Sequence, residues 1–136
     1  MFPFGSNAFK RMRATVWLTA FCEAAESGQS FIFTFCPEST VEPTLVEQMT
    51  QAVVAREGKV VFIELTCSRS VVLERLCSAS RAKLGKLTDP QLFAQIESQG
   101  GFEFPALPAP FMSINTEHFS PEVSAQTIAH ALSALK

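Results

Sequence analysis

The sequence predicts an α/β fold in which a parallel sheet is flanked by helices, with three strands and about five helices. Three observations carry this prediction. Two apolar runs, "FIFTF" (31–35) and "KVVFIELT" (59–66), have the β-branched and aromatic content of strands, and the second has the near-continuous apolarity of a strand covered on both faces. Amphipathic helical patterns alternate with the apolar runs, as in right-handed βαβ crossovers. The chain has 136 residues, 47% hydrophobic and 18% charged, which suits one domain with a core of its own.

Taken in order, Ala8–Glu26 has helical periodicity, with Phe9, Met12, Val16, Ala20, Phe21 and Ala24 on one face. Ser6 or Asn7 caps its start and Gly28 ends it. A strand over Ser30–Phe35 follows. Pro43 then sits where a first helical turn tolerates proline, Leu45, Val46, Met49, Val53 and Val54 form an apolar face, and Gly58 closes the helix. The second strand is Lys59–Thr66. Ser68 caps a helix over Arg69–Ser78 with Val72, Leu73 and Leu76 inside. After the basic stretch "SASRAKLGKLTDP", Thr88 or Asp89 caps a helix over "PQLFAQIESQ", which Gly100 and Gly101 end. "FEFPALPAP" is an irregular connector. Its Pro-x-x-Pro pattern suits either a rigid spacer or a polyproline II ligand. A last strand over Phe111–Asn115 precedes a helix capped by Ser120 with Pro121 in its first turn.

Net charge is −2 with no long run of one sign, which argues against a general nucleic-acid binder or a membrane-surface protein. No apolar run approaches the ~18 residues of a membrane span. The N-terminal "MFPFGSNAFKRMR" lacks the basic-then-apolar order of a secretion signal, so the expected location is the cytoplasm. Cys22, Cys36, Cys67 and Cys77 form no Cys-x-x-Cys pair and read as reduced thiols. Neither they nor His118 and His130 have metal-ligand spacing. Thirteen Phe, one Trp and no Tyr imply a Phe-rich core or an exposed apolar surface that needs a partner.

The order of pieces "FPFGSNAFKRMR", "FIFTFCPES", "ELTCSR", "SRAKLGKLTDP" and "INTEHFSPE" resembles P-loop small-molecule kinases, specifically bacterial AAA-type ATP-binding proteins of the shikimate-kinase-like kind. The resemblance runs over essentially the whole chain. It implies a three-layer parallel sheet of P-loop kinase type in a single partial domain over residues 1–136, with a mobile lid at about 79–88. It also implies ATP and Mg²⁺ as cofactors and a small hydroxyl-bearing substrate. The G-x-x-x-x-G-K-[ST] loop of that group is missing: none of the six glycines belongs to it. The expectation is therefore an N-terminally truncated domain, inactive alone, whose absent central strand would leave apolar strand edges open. The other reading of the same features is a non-catalytic α/β interaction module, acting as a homodimer or with a partner protein.

By the resemblance, Arg75 and Arg81 would close over the γ-phosphate as catalytic residues, with Lys83 beside them on the nucleotide and Lys86 farther along the lid. Without it, these residues are a solvated basic helix end that suits the helix dipole. Glu38, after Cys36-Pro37, would position Mg²⁺ or a substrate hydroxyl; otherwise it is a loop carboxylate near a helix start. Thr34, Cys36 and Thr40 line the same strand end. Glu64, inside the second strand, would need a partner if buried. Asn115, Thr116 and Pro121 would border the adenine, or simply form the cap of the last helix.

Overall fold

The computed structural model describes residues 2–104 and 107–135. The Pro-x-x-Pro pattern of the connector includes Pro105 and Ala106, which lie outside the described residues. The chain divides into two compact units: Met1–Val61 with Ile96–Leu107, and Phe62–Gln95 with Pro108–Lys136.

The first unit is built on two helices, α1 (Asn7–Glu26) and α2 (Pro43–Val54), which pack on each other. Ser6 caps α1 by accepting the Phe9 N–H at 3.2 Å. Pro43 opens α2, and Leu45, Val46 and Met49 are buried together with Val41 just before it. The end of α2 closes by a Schellman pattern, in which Gly58 N–H donates to the Val53 carbonyl and Glu57 N–H to that of Val54. Ion pairs Lys10–Glu42 (3.2 Å) and Arg56–Glu26 tie the residues flanking α2 at either end to α1.

The second unit holds two strands, β1 (Ile63–Thr66) and β2 (Met112–Asn115), paired in parallel with Ile63 opposite Met112 and Thr66 opposite Asn115. Phe111 N–H donates to the Phe62 carbonyl and Thr116 N–H to that of Thr66, each at 2.8 Å, which extends the ladder at both ends. Helices α3 (Arg69–Leu76), α4 (Ala79–Lys83) and α6 (Pro121–Ser133) belong to this unit, and Leu76 and Ile114 are its buried apolar residues. Helix α5 (Pro90–Ser98) starts under the Asp89 side chain, which accepts the Gln91 N–H at 2.8 Å. Ser120 caps α6 through the Val123 N–H.

Three corrections follow. The three-layer parallel sheet of P-loop kinase type, with three strands and about five helices, is not what forms. The described residues are about half helical, in six helices, with two four-residue strands. Phe31–Phe35 runs without strand pairing: among the described residues, no backbone hydrogen bond involves Ser30–Phe35. Alternation of side chains records which face is covered, whereas a strand needs a neighbouring edge, and the pattern carries no information about that edge. The strand expected over Lys59–Thr66 shortens to Ile63–Thr66, and Leu65 is 60% exposed, so the apolar run does not mark a strand covered on both faces. Finally, the packed face of α1 is not the stripe containing Met12 and Val16, which are exposed. It is the row Phe9, Arg13, Trp17, Phe21, four residues apart and therefore stacked along one side.

Candidate functional site

In the second unit, the carboxyl ends of β1 and β2 lie side by side because the strands are parallel and in register. Arg75, near the end of α3, reaches the loop after β2. Its Nη1 donates to Thr116 Oγ1 at 2.9 Å and its Nη2 to the Thr116 carbonyl at 2.7 Å. Thr116 Oγ1 lies 3.0 Å from the Thr66 carbonyl, so one threonine joins both strand ends to the guanidinium. Asn115 Oδ1 accepts the Glu117 N–H at 2.9 Å, forming an Asx turn that aims Glu117 back at α3. There the Glu117 carboxylate accepts the Ser68 N–H. That hydrogen bond, with the Ser68 hydroxyl next, holds the Glu117 carboxyl below its ordinary pKa. The amino end of α3 therefore already faces a carboxylate, and a phosphate there would meet negative charge.

Of the residues expected to meet nucleotide, the structure brings Arg75, Asn115 and Thr116 together. Arg81 is turned elsewhere: its Nε donates to the Leu87 carbonyl at 3.1 Å and closes the short α4 turn. Lys83 is exposed on α4, and Pro121 opens α6. Glu64 is exposed and accepts from the Ser113 hydroxyl at 2.5 Å, so it has a cross-strand partner rather than a buried charge.

In the first unit, Glu38 is engaged on both oxygens. Oε1 accepts from Arg13 Nη1 at 2.8 Å and from the Thr40 hydroxyl at 2.6 Å, and Oε2 accepts the Thr40 N–H at 2.7 Å. Arg13 also donates to Thr40 Oγ1 at 3.1 Å and to the Thr40 carbonyl. Its guanidinium lies 5.3 Å from the Phe9 ring centre and 5.2 Å from that of Trp17, in cation–π range. The two side chains keep only 10% and 15% exposure. Burial alone would raise the Glu38 pKa. The Thr40 hydroxyl, the Thr40 amide and Arg13 outweigh it, and the carboxyl is held below its ordinary 4.5. With about three of its four lone-pair sites taken, Glu38 does not suit a Mg²⁺ site. The cleft beside it, about 450 Å³ and lined by Ser39, Val41, Glu42, Gly100, Glu103 and Phe104, presents two carboxylates and would repel a phosphate.

The row Phe9–Arg13–Trp17–Phe21 does a second thing that sequence reasoning missed. Trp17 contacts Phe33 and Phe35 at ring-centre distances of 5.0 and 5.9 Å, and Phe21 contacts Phe31 and Phe33 at 4.9 and 5.2 Å, all edge to face. Phe31, Phe33 and Phe35 are thereby clamped to α1, and the intervening Ile32 and Thr34 face outward, Ile32 being 92% exposed. The signal was present: aromatic residues at 17 and 21 on a helix, and at 31, 33 and 35 in the next segment, are complementary faces.

Among the described residues, no helix is long and apolar enough to cross a membrane. No protein-family model, curated protein or solved structure matches the chain.

Proposed function

We propose that this chain is a non-catalytic interaction module that accepts a β-strand from another protein chain. The observation that carries this reading is Phe31–Phe35. One side is fixed to α1 by four aromatic contacts, Ile32 is bare, and the backbone donors and acceptors of Ser30–Phe35 have no partner among the described residues. An extended segment with open edges is the template that strand addition uses. The test is amide hydrogen exchange resolved to Phe31–Phe35 in the chain diluted until light scattering shows a monomer. The reading expects these amides to exchange at close to unprotected rates while those of α1 and α2 are slowed. Slow exchange at Phe31–Phe35 in an isolated monomer would overturn it.

A second reading has its own observation. Among the described residues, the Arg75 guanidinium is hydrogen-bonded to the hydroxyl and carbonyl of Thr116 and to no carboxylate, although the Glu117 carboxylate is near enough to feel its charge. This supports a nucleotide-phosphate contact at the carboxyl ends of β1 and β2, in part of an ATP-dependent phosphotransferase acting on a small hydroxyl compound. The phosphate-holding loop would have to come from outside this sequence. Arg75 and Thr116 would hold and orient the nucleotide, and no catalytic step is assigned to them. Titration with ATP by calorimetry tests it. Binding that weakens about tenfold in Arg75→Ala supports the reading, and absence of binding at millimolar ATP refutes it.

A further inference from the structure

The strand that Phe31–Phe35 accepts is, we infer, the same segment of a second copy of this chain, paired antiparallel about a two-fold axis through Phe33. This rests on the strand-accepting reading and names its partner.

Four features favour a second copy. The segment is self-complementary in this arrangement. Phe31 faces Phe35 of the second copy, Phe33 faces Phe33, and Ile32 faces Thr34, so Phe lies beside Phe on the inner side and apolar or β-branched residues meet on the outer side. A two-fold contact requires this match of a patch with itself. Charge does not oppose it: no ionisable acid or base lies between Ser27 and Pro37 except the Cys36 thiol, and Glu38 just beyond is already paired with Arg13. Natural edge strands avoid self-pairing with a lysine, an inward charge, a bulge or a proline within the strand, and "SFIFTF" has none of these residues. The segment is also bounded for a short ladder. Gly28, at φ +64°, turns the chain in after α1, and Pro37 lacks an N–H and stops pairing at the other end.

The register permits a charge-swap test at the two outward positions, where substitution leaves the aromatic clamp untouched. In the antiparallel pair, residue 32 of each copy lies opposite residue 34 of the other. Ile32→Lys with Thr34→Lys puts like charges opposite each other twice. Ile32→Lys with Thr34→Glu puts opposite charges there twice. A parallel in-register pair would gain nothing from the second variant, since each position would then face itself, lysine against lysine and glutamate against glutamate. The measurement is mass by light scattering from micromolar to about 100 µM, with Trp17 fluorescence to check that the fold is kept.

The expected results are a native dimer near twice the 14.9 kDa chain mass, association weakened in the double lysine variant by about tenfold or more in affinity, and recovery in the lysine–glutamate variant. In the native chain, exchange at Phe31–Phe35 should slow as concentration rises. A native monomer across this range, a dimer indifferent to the double lysine, or a lysine–glutamate variant that fails to recover would each overturn the self-pairing. The underlying reading fails separately. If the monomer shows Phe31–Phe35 amides protected at every concentration, the edge is covered within the chain and no strand is accepted. If those amides are unprotected in a monomer, the second copy alone is excluded.

Discussion

Replacing Arg13 by Met should destabilise the first unit by about 3 kcal/mol, although the substitution puts a helix-compatible apolar residue of similar length on a helix. The guanidinium makes three hydrogen bonds, to Glu38 Oε1, Thr40 Oγ1 and the Thr40 carbonyl. Hydrogen bonds to charged groups contribute about 1.5–3 kcal/mol and neutral ones about 1 kcal/mol. Methionine keeps the packing against Phe9 and Trp17 but not the cation–π attraction, about 0.5–1 kcal/mol for each ring. These contributions overlap, and the 10% and 15% exposure of the pair admits some water. The total therefore falls at the lower end of the about 3–5 kcal/mol known for breaking one half of a buried pair. Glu38→Gln keeps an acceptor and should cost less, about 1–2 kcal/mol. The double variant should lose less than the sum, with a coupling of about 1–2 kcal/mol, because the partners touch. The assay is urea unfolding followed by Trp17, the single tryptophan, which lies against Arg13. The pH dependence has a definite sign. Glu38 is held below its ordinary 4.5 in the folded chain, so the folded state releases that proton more readily than the unfolded one. Its contribution to stability is present above pH 4.5 and is lost as pH falls through the lower folded value. Glu38→Gln should flatten that acid limb. A cost below about 1 kcal/mol for Arg13→Met, strict additivity in the double variant, or an unchanged acid limb in Glu38→Gln would refute the argument.

Other expectations concern helix ends. Glu57 has φ +60° at the Schellman end of α2, a conformation costly for a side-chain-bearing residue, so Glu57→Gly should raise the urea midpoint, by about 0.5–1 kcal/mol. Gly100, at φ +70°, ends α5 and a Cβ there would stand 3.1 Å from the Glu103 carboxylate; Gly100→Ala should lower stability by about 1 kcal/mol in the same measurement. Ser120→Ala removes the acceptor for the Val123 N–H at the start of α6 and should reduce helical ellipticity and stability, by about 0.5–1 kcal/mol given the long 3.3 Å bond.

Legibility in the sequence followed the range of the interaction. The helices at Pro43–Val54 and Pro121–Ser133 could be read because their signals are local: a proline that fits the first turn, a serine cap at 120, an apolar period. The parallel pair Ile63–Thr66 and Met112–Asn115 could be read as two strands, but not its shortness, because Val60, Val61 and Phe62 are as strand-like as the residues that pair. Arg13 was hidden by its type. A charged residue is normally assigned to the outer face of a helix, yet here Phe9 and Trp17, one turn to either side, enclose the guanidinium. Arg75 and Thr116 were named together through the kinase resemblance and do touch, whereas the diversion of Arg81 to the Leu87 carbonyl depends on where the chain goes after the Gly85 turn, which the glycine marks without fixing the partner.

The aromatic clamp also explains how an unpaired strand persists. A free extended segment loses about 1–2 kcal/mol per residue in backbone entropy when it joins a ladder, which is why short peptides add to edges weakly. In Phe31–Phe35 three of the five side chains are already held by Trp17 and Phe21, so much of that ordering is complete before any partner arrives. Binding then gains the backbone hydrogen bonds at reduced entropic cost, the advantage of a preorganised surface. The absence of tyrosine fits the same logic. Phenol hydroxyls on the half-buried rings 33 and 35 would need a partner where they meet α1, whereas phenylalanine rings can pack edge to face without one. On this argument four of the thirteen phenylalanines serve where a helix must hold an extended segment in shape without pairing it, and Phe21→Ala, which touches no backbone group of that segment, should weaken strand addition as much as a change in the segment itself.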